Sequence, residues 1–228
     1  TAGVSLTAQQ PVNNVARVTI QALAAILGGT NSLHTNSMDE TLALPTEEAV
    51  KVALRTQQII ADESGVANTV DPLGGSYFVE HLTSKIETEA MAYIRKIYDL
   101  GGMIPAIEEG YPQKEIAAAA YRFQQQLDRK EKIIVGVNKF VDGEDSPIPT
   151  LKIDQASEDA QIASVKKVKK ARSKDKLGSA LTRLKKDCRE DRNIFPAVLD
   201  AVKCYASVGE ISDVFREVWG VYRDPANF

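Results

Sequence analysis

A chain of 228 residues is long enough for one large or two small domains with sizeable cores. With 43% hydrophobic and 26% charged residues it reads as a soluble globular protein, and it has no run of about 18 apolar residues that would span a bilayer. The net charge of −3 argues against general nucleic-acid binding, and two cysteines, Cys188 and Cys204, outside any C-x-x-C or Cys/His cluster, argue for a reducing cytoplasm over a disulfide scaffold or a zinc site.

The sequence begins at Thr1 with TAGVSLTAQQ, a strand-like opening that reads as the interior of a domain, so the natural chain is expected to extend upstream. Pro11 suits a first helical turn. Val12, Val15, Ala16, Ile20, Leu23, Ala24 and Leu27 then recur at helical spacing, up to a stop at Gly28-Gly29. The short run Ser32 to Thr35 reads as a strand, followed by a polar loop from Asn36 to Glu40. Thr46 is the expected N-cap of a helix reaching about Glu63, with Glu47 and Glu48 in the first turn where the helix dipole favours negative charge. This alternation is the grammar of βα repeats, with two units at about 1–28 and 30–63. In a barrel of such units, functional residues lie where strands end and helices begin, which selects Gly3 to Leu6 and His34 to Ala43.

Downstream, Asp71-Pro72-Leu73-Gly74-Gly75-Ser76 is a turn built from strong breakers. A long amphipathic helix carries Leu82, Ile86, Ala90, Tyr93, Ile94 and Ile97 and stops at Gly101-Gly102, and another helix spans about Gln113 to Lys130. Ile133 to Val137 reads as a buried strand, and Gly143 to Pro149 as a linker. Beyond it a helical layer is expected at 155–222, with an apolar stripe of Ile162, Val165, Val168, Leu177, Leu181 and Leu184 and a capping box at Ser207 to Glu210. The basic run Lys166 to Lys176 is interleaved with Val165, Val168 and Ala171 at helical spacing, as a solvated helix face would be.

No nucleotide-binding glycine loop, metalloprotease helix or nucleophile elbow is present. His34, a lone histidine in a short strand, is expected to be a satisfied core residue, and His81 a surface one. The Asp39-Glu40 pair reads either as a solvated loop or as a carboxylate at a barrel mouth. In the second case it would accept hydrogen bonds from ligand hydroxyls, such as those of a ribose.

Several motifs carry a resemblance. Ser5-Leu6-Thr7-Ala8-Gln9, Asn13-Asn14-Val15-Ala16-Arg17, Ser32-Leu33-His34-Thr35-Asn36, Asp39-Glu40, Ala43-Leu44-Pro45-Thr46, Glu63-Ser64-Gly65 and Asp71-Pro72-Leu73-Gly74-Gly75-Ser76-Tyr77 resemble the methylmalonyl-CoA mutase family in order and spacing. Gly136-Val137-Asn138-Lys139, Ser207-Val208-Gly209-Glu210-Ile211 and Gly220-Val221-Tyr222-Arg223 continue the match. The resemblance implies an α/β fold: the C-terminal portion of a (β/α)8 TIM barrel in residues 1–142, a linker at 143–150, and a mainly helical extension at 151–228.

It further implies part of an adenosylcobalamin-dependent acyl-CoA mutase, an intramolecular transferase that rearranges a carbon skeleton by radical chemistry. Methylmalonyl-CoA to succinyl-CoA is the most widespread branch. Glu40 and Asn36 match family residues at the adenosyl ribose, Gly3 and Ala43 match positions close to the corrin, and Ser32 matches a serine near the CoA arm. Asn31, where the family often has glutamine, and Val4, where it has an aromatic residue, depart from the pattern. No catalytic residue and no metal ligand is matched: the substrate-steering histidine, the CoA-phosphate arginines and the D-x-H-x-x-G cobalt motif do not occur here. The expected partners are a short-chain acyl-CoA, the remaining barrel half and a separate cobalamin-binding subunit or domain, without nucleic acid or membrane. The chain alone is expected to be inert. The alternative is a non-catalytic assembly module that docks the cobalamin-binding subunit.

Overall fold

A computed structural model describes residues 1–143 and 148–223. Residues 144–147 of the expected linker and 224–228 of the expected extension therefore lie outside the described residues. The chain divides into two compact units, Thr1–Leu151 and a second that begins at Lys152.

In the first unit α1 (Asn13–Leu27) and α2 (Glu47–Glu63) pack together. Thr46 caps α2 as its sequence predicts, its hydroxyl accepting from the Ala49 N–H at 3.3 Å, with Glu47 and Glu48 in the first turn. The buried line of α1 is Asn14, Val18 and Ala22, at i, i+4 and i+8, and α2 meets it with Ala49, Ala53, Thr56 and Ile60. The predicted stripe on α1 is thus corrected, because Val12 and Ile20 are 61% and 69% exposed. A polar residue holds the inner face because both ends of its amide are hydrogen-bonded there.

Three more helices follow, α3 (Tyr77–Asp99), α4 (Met103–Glu108) and α5 (Tyr111–Asp128). The predicted turn ahead of α3 forms, with the Gly74 N–H donating to Asp71 O at 3.1 Å. A Cβ on Gly74 would fall 2.5 Å from Asp71 Oδ2, so any other residue there would have to displace the Asp71 carboxylate. No helix of the described residues is long and apolar enough to cross a membrane.

Among the described residues there is no strand; the only bridge outside helices joins Val135 and Lys139. Three strand expectations are therefore corrected. Residues 3–5 form one 3₁₀ turn. Residues 32–37 have no regular structure, and Thr35 among them turns to α2: its hydroxyl donates to Ala53 O at 2.8 Å and accepts from Gln57 Nε2 at 3.0 Å. Residues 133–137 form a tight turn, because Asn138 supplies the partners a neighbouring strand would give. Its Oδ1 accepts from the Ile134 N–H at 2.8 Å, and its Nδ2 donates to Lys132 O at 2.8 Å. Gly136, at φ +82°, closes the turn by donating to Lys139 O. This turn is tied back to the start of the chain by Arg17, which donates to Val135 O at 2.7 Å, and by Gln10, which donates to Phe140 O at 2.9 Å and to Asp142 at 2.8 Å.

The second unit holds α6 (Gln155–Ala171), α7 (Lys174–Arg189), α8 (Phe195–Lys203) and α9 (Val208–Trp219). Its core joins Ala180, Leu184 and Cys188 of α7 to Ala197 and Ala201 of α8 and to Ile211 and Val214 of α9. Leu177 and Leu184 of the predicted stripe are buried, whereas Ile162, Val165 and Val168 of α6 are 43%, 38% and 40% exposed. The lysines of the basic run are exposed, as a solvated helix face requires. Arg172 differs. Its side chain is only 9% exposed and grips both oxygens of Glu210 while donating to Tyr205 O at 2.8 Å. Ser207 and Glu210 form the expected capping box.

Candidate functional site

The residues selected from sequence near the N-terminus converge in the first unit. The loop from Asn36 to Thr46 has no helix or strand, and its turn is set by backbone bonds from the Leu42 and Ala43 N–H groups to Asp39 O at 2.9 and 3.0 Å. Within it Asn36 and Glu40 are joined directly, with Asn36 Nδ2 donating to Glu40 Oε2 at 2.6 Å. Glu40 Oε1 accepts from the Ser37 N–H, also at 2.6 Å. Each carboxylate oxygen has a second lone pair, and the Glu40 side chain is 24% exposed, so the group can still accept from an incoming hydroxyl.

Gly3 lies beside this pair, because a Cβ built on it would stand 3.7 Å from Asn36 Nδ2. The Thr1 hydroxyl accepts from the Asn36 N–H at 3.0 Å and donates to the side-chain oxygen of the same residue. Ala43 is half-buried on the Asp39 turn. The structure thus brings Gly3, Asn36 and Glu40 together, with Ala43 on the same loop. Val4, one of the departures from the family pattern, is almost fully exposed next to Gly3.

Ser32 falls elsewhere. It lines an open cleft of about 520 Å³ between the end of α1 and α2, together with Asn31, Leu33, Gln57 and Asp62. His34 is corrected from a core residue to an exposed one. Its ring is 75% exposed, and Nε2 stands 3.9 Å from Glu40 Oε1, at the rim of the carboxylate.

Asp39, weighed in the sequence as a pair with Glu40, and Asn14 and Arg17, which sequence reasoning did not select as site residues, support this geometry. Asp39 is fully buried, and its Oδ2 accepts from both the Thr46 N–H, at 2.9 Å, and the Thr46 hydroxyl, at 3.0 Å. Asn14, also fully buried, donates to Thr7 O at 3.0 Å and Met38 O at 2.9 Å, while its Oδ1 accepts from the Thr7 N–H and from Arg17. Arg17 adds a bond to the Thr7 hydroxyl at 2.8 Å. The available signal was the Asn14 to Arg17 spacing of three, which puts both polar groups on one helix face. Among the described residues no group of three or more His, Cys, Asp and Glu side chains could hold a metal ion.

The family model described as methylmalonyl-CoA mutase matches residues 1–221. The curated methylmalonyl-CoA mutase of Cereibacter sphaeroides is 45% identical over 224 residues, covering 98% of this chain and 32% of its own length. That of Escherichia coli is 42% identical over 227 residues, covering 99% and 32%. The 2-hydroxyisobutanoyl-CoA mutase large subunit of Aquincola tertiaricarbonis is 42% identical over 230 residues, covering 100% of this chain and 41% of its own. The chain therefore spans from 32% to 41% of the length of these relatives.

Proposed function

The chain belongs to the methylmalonyl-CoA mutase family, and on that premise we propose that it forms part of an adenosylcobalamin-dependent acyl-CoA mutase and contributes a cofactor-facing surface to it. The observation that carries this reading is the joined Asn36–Glu40 pair, an amide and a carboxylate locked together at 2.6 Å with the carboxylate still reachable from solvent. That donor set fits a nucleoside ribose, whose hydroxyls donate to a carboxylate and accept from an amide. Gly3 beside the pair leaves room for a large flat ring to approach, and Ala43 adds a second small side chain on the loop.

Glu40, Asn36, Gly3 and Ala43 would hold adenosylcobalamin, and the bound cofactor would supply the radical chemistry of a carbon-skeleton rearrangement. This chain's own contribution is to orient. Asn36 and the Ser37 N–H fix the Glu40 carboxylate before any ligand arrives, so no side-chain reorganisation is needed on binding. Ser32 in its cleft would contact the CoA arm of a short-chain acyl-CoA, with methylmalonyl-CoA as the expected substrate.

In this reading residues 1–142 are the last βα units of a TIM barrel. Residues 143–150 link it to a helical extension, and a cobalamin-binding subunit or domain completes a cytoplasmic assembly. The exposed apolar residues of α6 favour a second role for the extension, that of docking this partner.

The test uses the complete mutase that contains this sequence. Glu40→Ala and Glu40→Gln should weaken adenosylcobalamin binding about 10- to 100-fold, the value of a hydrogen bond to a charged group, and lower turnover. Wild-type affinity and turnover in both variants would refute the reading.

A further inference from the structure

The loop that carries Asn36, Glu40 and Ala43 contains no helix or strand, so its position depends on side-chain anchors. Two fully buried polar side chains supply them, Asn14 on α1 and Asp39 within the loop itself. From α1, Asn14 Nδ2 holds Met38 O at 2.9 Å, two residues before Glu40. On the α2 side, Asp39 is bound through Thr46, whose N–H and hydroxyl both donate to Asp39 Oδ2 while the same hydroxyl accepts from Ala49 at the first turn of the helix. The backbone of Asp39 in turn sets Leu42 and Ala43. A buried carboxylate is costly, and Asp39 Oδ1 has no hydrogen-bond partner among the described residues, so stability alone gives poor reason for an acid here.

We propose that Asn14 and Asp39 are positioning residues that clamp the Glu40 loop to α1 and α2 in the orientation that receives the cofactor. The proposal rests on the reading that Glu40 faces adenosylcobalamin. The role of Asp39 is geometric: one oxygen takes two donors from Thr46. An asparagine carbonyl has the same two lone pairs in the same place, so Asp39→Asn preserves the clamp and Asp39→Ala removes it.

The experiment again uses the complete mutase, with adenosylcobalamin titrated spectrophotometrically and amide hydrogen exchange followed across 36–46 in the cofactor-free enzyme. Asn14→Ala and Asp39→Ala should each weaken cofactor binding by about tenfold or more and speed exchange at Leu42 and Ala43 by at least as much. Asp39→Asn should stay within about threefold of wild type in both readouts. Val18→Ala, a cavity variant one turn from Asn14 on the same buried line, controls for general destabilisation and should leave affinity within about threefold.

Affinities in Asn14→Ala and Asp39→Ala that match Val18→Ala would overturn the proposal, as would an Asp39→Asn enzyme as impaired as Asp39→Ala. If Asp39→Ala does not fold, Thr46→Val, which deletes the hydroxyl half of the clamp, must still weaken binding by about threefold or more, and an unchanged affinity there refutes the clamp. Glu40→Ala in the same series separates the two claims. Unchanged binding in Glu40→Ala removes the site reading and this proposal with it, whereas weakened binding there but not in Asp39→Ala removes only the clamp.

Discussion

Replacing Leu184 by alanine should nearly abolish the stability of the second unit. Leu184 is fully buried on α7, and its cluster partners include Ala180, Ala197 and Ala201 as well as Cys188, Ile211 and Val214. Alanines have no rotamers with which to fill a void, so the cavity cannot collapse, and the cost falls at about 3–4 kcal/mol in the range for buried leucine truncations. A unit of this size holds on the order of 5 kcal/mol in total. With a urea slope near 1 kcal/mol per M, the unfolding midpoint should fall by about 3 M. Trp219 is the only tryptophan and stacks on Phe215 in α9 with ring centroids 5.2 Å apart, so its fluorescence reports this unit alone. Leu199→Ala, at a 44% exposed position on α8, is the control and should shift the midpoint by less than about 1 M. A Leu184→Ala shift no larger than that of Leu199→Ala would refute the assigned core.

The same fluorescence assay tests two further expectations, and a thiol reagent tests a third. The Arg172 guanidinium, bonded to both oxygens of Glu210 and helped by Ser207, holds that carboxyl down to about 2 from an ordinary 4.5, against the opposing effect of burial. A depressed carboxyl stabilises fully above its unfolded value, so the second unit should lose stability as pH falls from about 4.5 toward 2. Glu210→Gln should flatten that part of the profile, and an unchanged slope would contradict the assignment. Ser207→Ala removes the side chain that caps α9 and should cost about 1 kcal/mol, read as a midpoint shift of roughly 1 M, with no shift counting against the capping box. Burial, and then the neighbouring Asp187 carboxylate, push the Cys188 thiol up, while Cys204 is half-buried. A thiol reagent should therefore modify one cysteine quickly and the second only on unfolding, and two fast equivalents would contradict it.

The helices were legible where a period and a cap agreed. Thr46 ahead of Glu47-Glu48, Gly28 after Leu27 and the Ser207–Glu210 box each mark a boundary that the structure keeps to within a residue or so. The inner face of α1 was not legible, because hydropathy scores Asn14 as outward-facing and cannot count the bonds that make its burial favourable. Helix α4, six residues between two glycines, is too short to show a period. The strand readings at 32–35 and 133–137 failed for a different reason. A segment becomes a strand only when a neighbouring strand takes its backbone groups, and here Gln57 of α2 bonds Leu33 O while Asn138 takes the Ile134 N–H.

The candidate site divides in the same way. The resemblance supplied Asn36 and Glu40, and their spacing of four is consistent with the contact they make. Residue types alone left the Asp39-Glu40 pair undecided between solvent and site. The structure divides it, with Asp39 buried and Glu40 partly open.

The long-range ties of the first unit bear on the order of events during synthesis. Every bond around Asn36, Glu40 and Asp39 closes within the first two helices, whereas Arg17 must wait for Val135, 118 residues later. At ribosomal rates of about 5–20 residues per second, that interval lasts roughly 6–24 s. Through it the helix pair is already made while the ties of Arg17 to Val135 and of Gln10 to Phe140 and Asp142 are still to form. A chaperone that engages the nascent chain in this interval would meet it before the turn at Gly136 arrives to bond Arg17 and close the unit.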